Sequence, residues 1–166
     1  NTVFMWAWKY REPVLDLVEM ITGNRNSYAM FKVGGVRRDI EESKINAIRK
    51  VLSVVKKKNE LLTGAVMDDP VIHARTKGVG VLTKEDVIDF GAVGPTARAS
   101  GVAMDVRRDD PYAAYPLVNW KVITAETGDV FAKAQVRLLE ISESISIIEQ
   151  CLDGLKKEKE GDIELK

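Results

Sequence analysis

Two short segments concentrate the residues that could do chemistry. GPTARASGVAMDVRRDDPYAAY, from Gly94 to Tyr115, sets Arg98, Arg107 and Arg108 among Asp105, Asp109 and Asp110, then closes on Tyr112 and Tyr115. GGVRRD, from Gly34 to Asp39, repeats the theme with Arg37 and Arg38 just past a glycine pair. Glycine lets a backbone come close to a bound group. Arginine adds a permanent charge on a planar donor fork. Together they could hold an anionic group, or flank an electron-transfer centre and bias its potential. The same residues could equally neutralise one another, Arg37, Arg38, Arg107 and Arg108 pairing with Asp39, Asp105, Asp109 and Asp110 in a solvated network.

Other candidates are weaker. Glu12, Asp16 and Glu19 share one face of a predicted helix and could be steps in a proton path, although acids on an exposed helix face usually have no such role. His73 lacks the convergent partners a site needs. Cys151 lies on an apolar stripe, where a free thiol behaves as a small hydrophobe. Trp6 and Trp8 read as core or interface anchors. GVGV, from Gly78 to Val81, lacks the third glycine and the strand–turn–helix setting of a dinucleotide fingerprint. One cysteine and one histidine cannot make a Cys/His metal site, so a metal centre held by this chain alone would need carboxylates; none is expected.

Composition narrows the class. The 25 basic and 25 acidic residues balance, which argues against a general nucleic-acid or membrane-surface binder. No apolar run approaches the roughly 20 residues of a membrane span. A lone cysteine fits a reducing compartment. The apolar, aromatic start NTVFMWAWKY, without an initial methionine, suggests either a chain cut from a longer protein or a segment that docks against a partner.

The elements that must position these residues are mostly helical. Val14, Leu17, Val18 and Ile21 repeat at helical spacing, with Pro13 in the first turn or kinking a longer helix from near Val3, and Gly23 as the stop. NRNSYAMFKVGGVRRDI reads as a loop with a short extended piece. A second helix is predicted from about 41 to 63, with Ile45, Ile48, Leu52, Val55 and Leu62 on one stripe, Lys56–Lys58 near its C-terminal end and Gly64 as its stop. A short helix follows around 70–76, and another from Thr83 to about Phe90. LVNWKVI, from Leu117 to Ile123, is strand-like but isolated. Ala134, Leu138, Ile141, Ile145, Ile148 and Leu152 predict a last helix from Thr127–Asp129 to Gly154, widened by Leu139, Ile147 and Cys151 and so buried on most sides. The expectation is a mainly α fold: a helical bundle with Gly-rich loops and at most a short strand or hairpin, one domain over 1–155 and a charged tail or linker over 156–166.

Three long stretches carry a resemblance. REPVLDLVEMITGNRNSYAMFKVGGVRRDI, FGAVGPTARASGVAMDVRRDDPYAAY and GDVFAKAQVRLLEISESISIIEQCL, in this order and over about Thr2 to Leu155, resemble the large catalytic subunit of membrane-bound, energy-converting nickel–iron hydrogenases. They are also similar to its evolutionary relative, the quinone-reducing core subunit of respiratory complex I. VGGVRRDI and GPTARASGVAMDVRRDDPYAAY look closer to the hydrogenase side. The hydrogenase family holds its metal with two Cys-x-x-Cys motifs, one near each end, and neither is present. The resemblance therefore implies the central fragment of a redox-enzyme large subunit, inactive alone, with a nickel–iron centre and a neighbouring iron–sulfur cluster belonging to the full complex. It implies a small iron–sulfur subunit and other subunits of a membrane-bound complex as partners, and a cytoplasmic location peripheral to the membrane. The alternatives are a fragment of a complex I-type NADH:quinone oxidoreductase subunit, or a non-catalytic scaffold for an iron–sulfur subunit. Near-cluster or subunit-interface candidates under the resemblance are Arg37, Arg38, Asp39, Arg98, Ser100, Asp105, Arg107, Arg108 and Asp109. In this picture Asp105 and Asp109 hold the arginines, and Tyr112 and Tyr115 anchor the loop.

Overall fold

The computed structural model describes residues 2–158 and 161–164. Among them lie seven α-helices, one two-stranded hairpin and a single 3-10 turn, so the fold is mainly α as expected. The chain forms two compact units. One comprises the residues up to 58 together with those from 152 onward, the other residues 59–151.

The first unit opens with α1 (Thr2–Thr22), which continues past Pro13, so the longer of the two predicted helices forms. Gly23 stops it in a left-handed conformation (φ 85°), its N–H donating to the Glu19 carbonyl at 2.7 Å. The chain then doubles back. Arg25 reaches the acids spaced along α1: Glu12 at 2.7 Å, Asp16 at 2.6 Å and Glu19 at 3.0 Å. The acidic face is thus gathered by one guanidinium. Hydrogen bonds to Asp16 and then Glu19 push that guanidinium further above its already high value. Trp6 and Trp8 are 37% and 51% exposed, which removes them from any core within this chain.

The extended piece of the next segment is a hairpin, β1 (Phe31–Lys32) and β2 (Gly35–Val36), with Phe31 opposite Val36 and Lys32 opposite Gly35. The predicted tail comes back to it. Val36 donates its N–H to the Ile163 carbonyl at 3.0 Å, Gly35 bridges Glu164, and Lys32 pairs with Glu164. Residues 159, 160, 165 and 166 of that tail, and Asn1, lie outside the described residues.

α2 (Glu42–Met67) carries Ile45, Ile48 and Leu52 inward on one stripe, and Leu15 and Leu152 are buried in the same unit. Gly64 does not end α2. A glycine inside a helix costs only about 1 kcal/mol, which a helix of this length tolerates, and the stop falls instead before Pro70. Lys56–Lys58 are therefore mid-helix and make no use of the C-terminal dipole; Lys58 instead sets its ammonium 5.1 Å from the Tyr10 ring centroid.

In the second unit, α3 (Pro70–Thr76) is capped by Asp69, whose carboxylate accepts the N–H groups of Val71 and Ile72. α4 (Lys84–Asp89) begins at Thr83 as predicted, with a reciprocal Thr83–Asp86 capping box. α5 (Gly94–Arg98) and α6 (Val106–Asp109) are single turns within the Arg/Asp segment. α7 (Val130–Leu155) ends the fold. Ala99, Ala132 and Val136 form its apolar centre, with Ile123 and Ala125 packed against them. Asn59 of α2 donates to the Leu138 carbonyl and the Ser142 hydroxyl of α7, both at 3.0 Å.

Two expectations fail here. LVNWKVI forms no strand: the N–H groups of Asn119 and Lys121 donate to the side chains of Gln150 and Glu143 on α7, which substitute for a partner strand. α7 is also not buried on most sides. Ala132, Val136, Ile145, Ile147 and Leu152 are buried, whereas Leu139, Ile141 and Ile148 are more than a third exposed. Among the described residues no helix is long and apolar enough to cross a membrane.

Replacing the gathering cation, Arg25→Gln, leaves Glu12, Asp16 and Glu19 to repel one another at helical spacing. The variant is expected to melt at a lower temperature than the parent, and the gap should close between about 0.05 M and about 1 M salt as screening removes the effect. Calorimetry at the two salt levels checks it; equal melting temperatures at low salt would contradict the reading.

Candidate functional site

The Arg/Asp segment builds around a buried guanidinium. α5 carries Arg98 on its last turn, where it is only 7% exposed. A charge so placed must be paired. Its Nε donates to Glu140 Oε1 of α7 at 2.6 Å, its Nη1 donates to the Met104 carbonyl at 3.0 Å, and the same nitrogen stands 3.5 Å from Asp105 Oδ2.

Asp105 has two tasks. As the N-cap of α6 it accepts the Arg107 N–H at 3.1 Å, and its own N–H donates to Asp109 Oδ2 at 2.9 Å. As a counter-ion it receives Arg107 side-on, Nε to Oδ1 at 2.9 Å and Nη2 to Oδ2 at 2.6 Å. Arg98 and Arg107 are thereby balanced by Asp105 and Glu140. Hydrogen bonds from Arg107 outweigh burial and hold the Asp105 carboxyl below the usual carboxylate range; the same contact raises the Arg107 guanidinium.

An aromatic wall backs this network. Tyr112 and Tyr115 meet edge to face at 5.1 Å, and Tyr115 meets buried Trp120 at 6.1 Å. The guanidinium carbons of Arg107 and Arg108 lie 4.8 and 4.5 Å from the Trp120 ring centroid. Arg108 also donates to the Trp120 carbonyl. Burial, and then the neighbouring Tyr112, push the Tyr115 phenol upward, so it stays protonated at neutral pH. Tyr112 and Tyr115 are thus packed edge to face within this wall.

Ser100 and Asp129 fasten the segment to its surroundings. Ser100 is buried and donates to the Leu82 carbonyl at 2.7 Å. Gly128 (φ 62°) lies so close that a methyl there would stand 2.2 Å from the Leu82 oxygen. Burial alone would raise Asp129, but N–H bonds from Ala132 and Gly78, the Thr127 hydroxyl and the charge of Lys133 bring its carboxyl below the usual range.

The structure thus brings together Arg98, Asp105, Arg107, Arg108 and Asp109. Asp109 binds backbone and holds no arginine. Arg37, Arg38 and Asp39 belong to the other unit and are exposed. There Asp39 accepts its neighbour's N–H from Ile40 at 2.7 Å, and Arg37 only reaches the Ala29 carbonyl at 3.5 Å. Among the described residues neither Arg37 nor Arg38 has an ion-pair partner, so the alternative reading of an Arg37–Arg38–Asp39 network is not realised among them. Glu140 and Trp120 were not expected in the site. An acid embedded in the apolar run between Leu139 and Ile141 was the available signal for Glu140. Among the described residues no three His, Cys, Asp or Glu side chains gather so as to hold a metal ion, and a four-thiolate nickel–iron centre does not fit a chain with one cysteine.

Removing the shared counter-ion, Asp105→Asn, leaves two guanidiniums short of charge and should cost about 3–5 kcal/mol, as for other broken buried pairs. Because the folded carboxyl lies below its unfolded value of about 3.9, this stabilisation is complete above that pH and is lost as pH falls through the folded value. Urea unfolding across the acid range should show a steeper acid loss in the parent than in the variant. A variant within about 0.5 kcal/mol of the parent at neutral pH would show that the network does not hold the segment.

The chain matches the model of the family described as respiratory-chain NADH dehydrogenase, 49 kDa subunit, over residues 1–165. It is 41% identical over 155 residues to a subunit of the NADH-quinone oxidoreductase of Geotalea uraniireducens, covering 93% of this chain and 40% of that protein. It is 40% identical over 156 residues to a subunit of the F(420)H(2) dehydrogenase of Methanosarcina mazei, covering 92% and 41%. Among solved structures, a chain of the membrane-bound sulfane sulfur reductase, an archaeal respiratory membrane complex, superposes with a TM-score of 0.88 at 34% identity, covering 98% of this chain and 43% of that one. The chain spans about 40% of the length of these curated relatives. With a family match along almost its whole length, the chain belongs to the family of the 49 kDa subunit of respiratory-chain NADH dehydrogenase.

Proposed function

We propose that this chain is the helical body of a quinone-type oxidoreductase core subunit, working inside a membrane-bound respiratory complex at the cytoplasmic face. Its Arg/Asp segment is a rigid docking element for a small iron–sulfur subunit. The relatives named as components of NADH-quinone oxidoreductase and of F(420)H(2) dehydrogenase support this quinone-type branch over the hydrogenase branch suggested by VGGVRRDI and GPTARASGVAMDVRRDDPYAAY. Nickel in the assembled complex would reverse that preference.

The observation that carries the reading is a division of labour among three arginines. Arg98 and Arg107 are consumed by Asp105 and Glu140, which fixes the segment. Arg108 has no ion-pair partner among the described residues and stays exposed on the face of Trp120. In the same stretch of chain Met104, Val106, Tyr112 and Leu117 are 44%, 60%, 53% and 85% exposed. Exposed apolar side chains accompanying one oriented cation are what a docking face needs.

An iron–sulfur cluster in the partner would supply the electron transfer. Arg108, held in place by Trp120, would favour the more negative reduced state by charge and hydrogen bonding and so raise the potential. No step requires a metal held by this chain.

Arg108 can be tested without removing an ion pair of the network, whereas reversing Arg107 would break one. Arg108→Glu should weaken binding to the partner by about tenfold or more, chiefly through slower and more salt-sensitive association, with helix content unchanged. Surface plasmon resonance with the iron–sulfur partner, alongside circular dichroism, measures both. Parental affinity in a folded variant would refute the docking role.

A further inference from the structure

The two arginine pairs, alike in sequence, end in different electrostatic states. In the second unit Arg107 is neutralised by Asp105 and Arg108 lies on the Trp120 ring. In the first unit Arg37 and Arg38 border a cleft of about 280 Å³ beside the C-terminal end of α1, lined also by Gly23, Ser27, Tyr28 and Ala29. No acid lines it, and neither guanidinium has an ion-pair partner among the described residues.

The surroundings compensate little of this charge. A methyl on Gly23 would stand 3.0 Å from Arg38 Nη1 and 3.3 Å from Nη2, so glycine is what lets the guanidinium lie over the end of α1. The carbonyls there carry only about half a negative charge. Arg37 reaches the Ala29 carbonyl at 3.5 Å, the outer limit of a hydrogen bond, and Ala29 itself is held at φ 41°, in the left-handed region that a residue with a Cβ rarely adopts. Strain of this kind concentrates where a backbone is shaped for a ligand. Arg37, Arg38, Ser27, Tyr28 and the strained Ala29 therefore line a space with no acid among the described residues.

We infer that this cleft is an oxyanion site: it takes a phosphoryl or carboxylate group gripped by Arg37 and Arg38 and steadied by the Ser27 and Tyr28 hydroxyls. Guanidinium forks match the oxygen spacing of both groups. The site goes beyond the docking face, since it lies in the other unit and uses none of its residues.

The full chain, labelled with ¹⁵N, can be titrated at constant ionic strength with inorganic phosphate and separately with acetate, following the arginine Nε–H resonances. Saturable shifts of the Arg37 and Arg38 signals are expected, weakened by about tenfold or more in the Arg37→Gln/Arg38→Gln variant. These exposed side chains have no ion pair to lose among the described residues, so the variant should remain folded, and the unchanged Arg98 and Arg107 signals report that directly. Saturation by phosphate alone assigns a phosphoryl ligand; saturation by acetate as well assigns a carboxylate. Shifts that never saturate, or that are equal in parent and variant, would overturn the site.

Discussion

A guanidinium removed from water must find its counter-charge, and the buried Arg98 sets that requirement for the whole second unit. Its counter-ions come from different places in the chain. Glu140 is supplied by the long helix α7, while Asp105 begins the single turn α6. The pairing thus fastens a glycine-rich segment, otherwise held by two short helical turns, to the longest element in its unit. Asp105 is then shared with Arg107, and Arg107 rests on Trp120 and Tyr115. Each contact presupposes the one before it, so the segment behaves as one network and is not a set of independent surface pairs.

The functional consequence lies in what the network leaves over. Two guanidiniums and two carboxylates cancel, and a third guanidinium, Arg108, remains outside with a fixed direction. A cation on a mobile loop contributes little to recognition because ordering it carries an entropic cost. A cation laid on a buried indole, with its neighbours already immobilised, has met that cost during folding. This is why the balanced charge of the segment, which first suggests mutual neutralisation, is compatible with a docking role in a multisubunit redox complex.

Legibility in the sequence followed the range of the interactions. The Thr83 cap, the stripe Ile45–Ile48–Leu52 and a short extended piece near the glycine pair depend on near neighbours and were visible, although the hairpin pairing itself was not. The concentration of charge between Arg98 and Asp110 was visible too. The partners that organise it were not: Glu140 lies 42 positions from Arg98, and Trp120 sits in LVNWKVI, whose β-branched residues suggest a strand although side chains of α7 take its N–H groups. The acids of α1 read as a solvated face because nothing local announces that Arg25 folds back to meet them. Gly64 misled for the opposite reason, a local signal overridden by the helix around it. Ile141 and Ile148 follow the helical period faithfully but remain exposed, because periodicity identifies an apolar face without specifying what covers it.

The most direct test of the central claim is a double-mutant cycle on Arg98 and Glu140, built from Arg98→Met, Glu140→Gln and the combined variant, with unfolding free energies measured in urea at neutral pH. A buried, hydrogen-bonded pair predicts strong coupling, on the order of 2 kcal/mol or more, with the double variant less destabilised than the sum of the two singles. Effects that add to within about 0.5 kcal/mol would mean that the two groups do not sense one another, and the account of an anchored segment presenting Arg108 would fall with them.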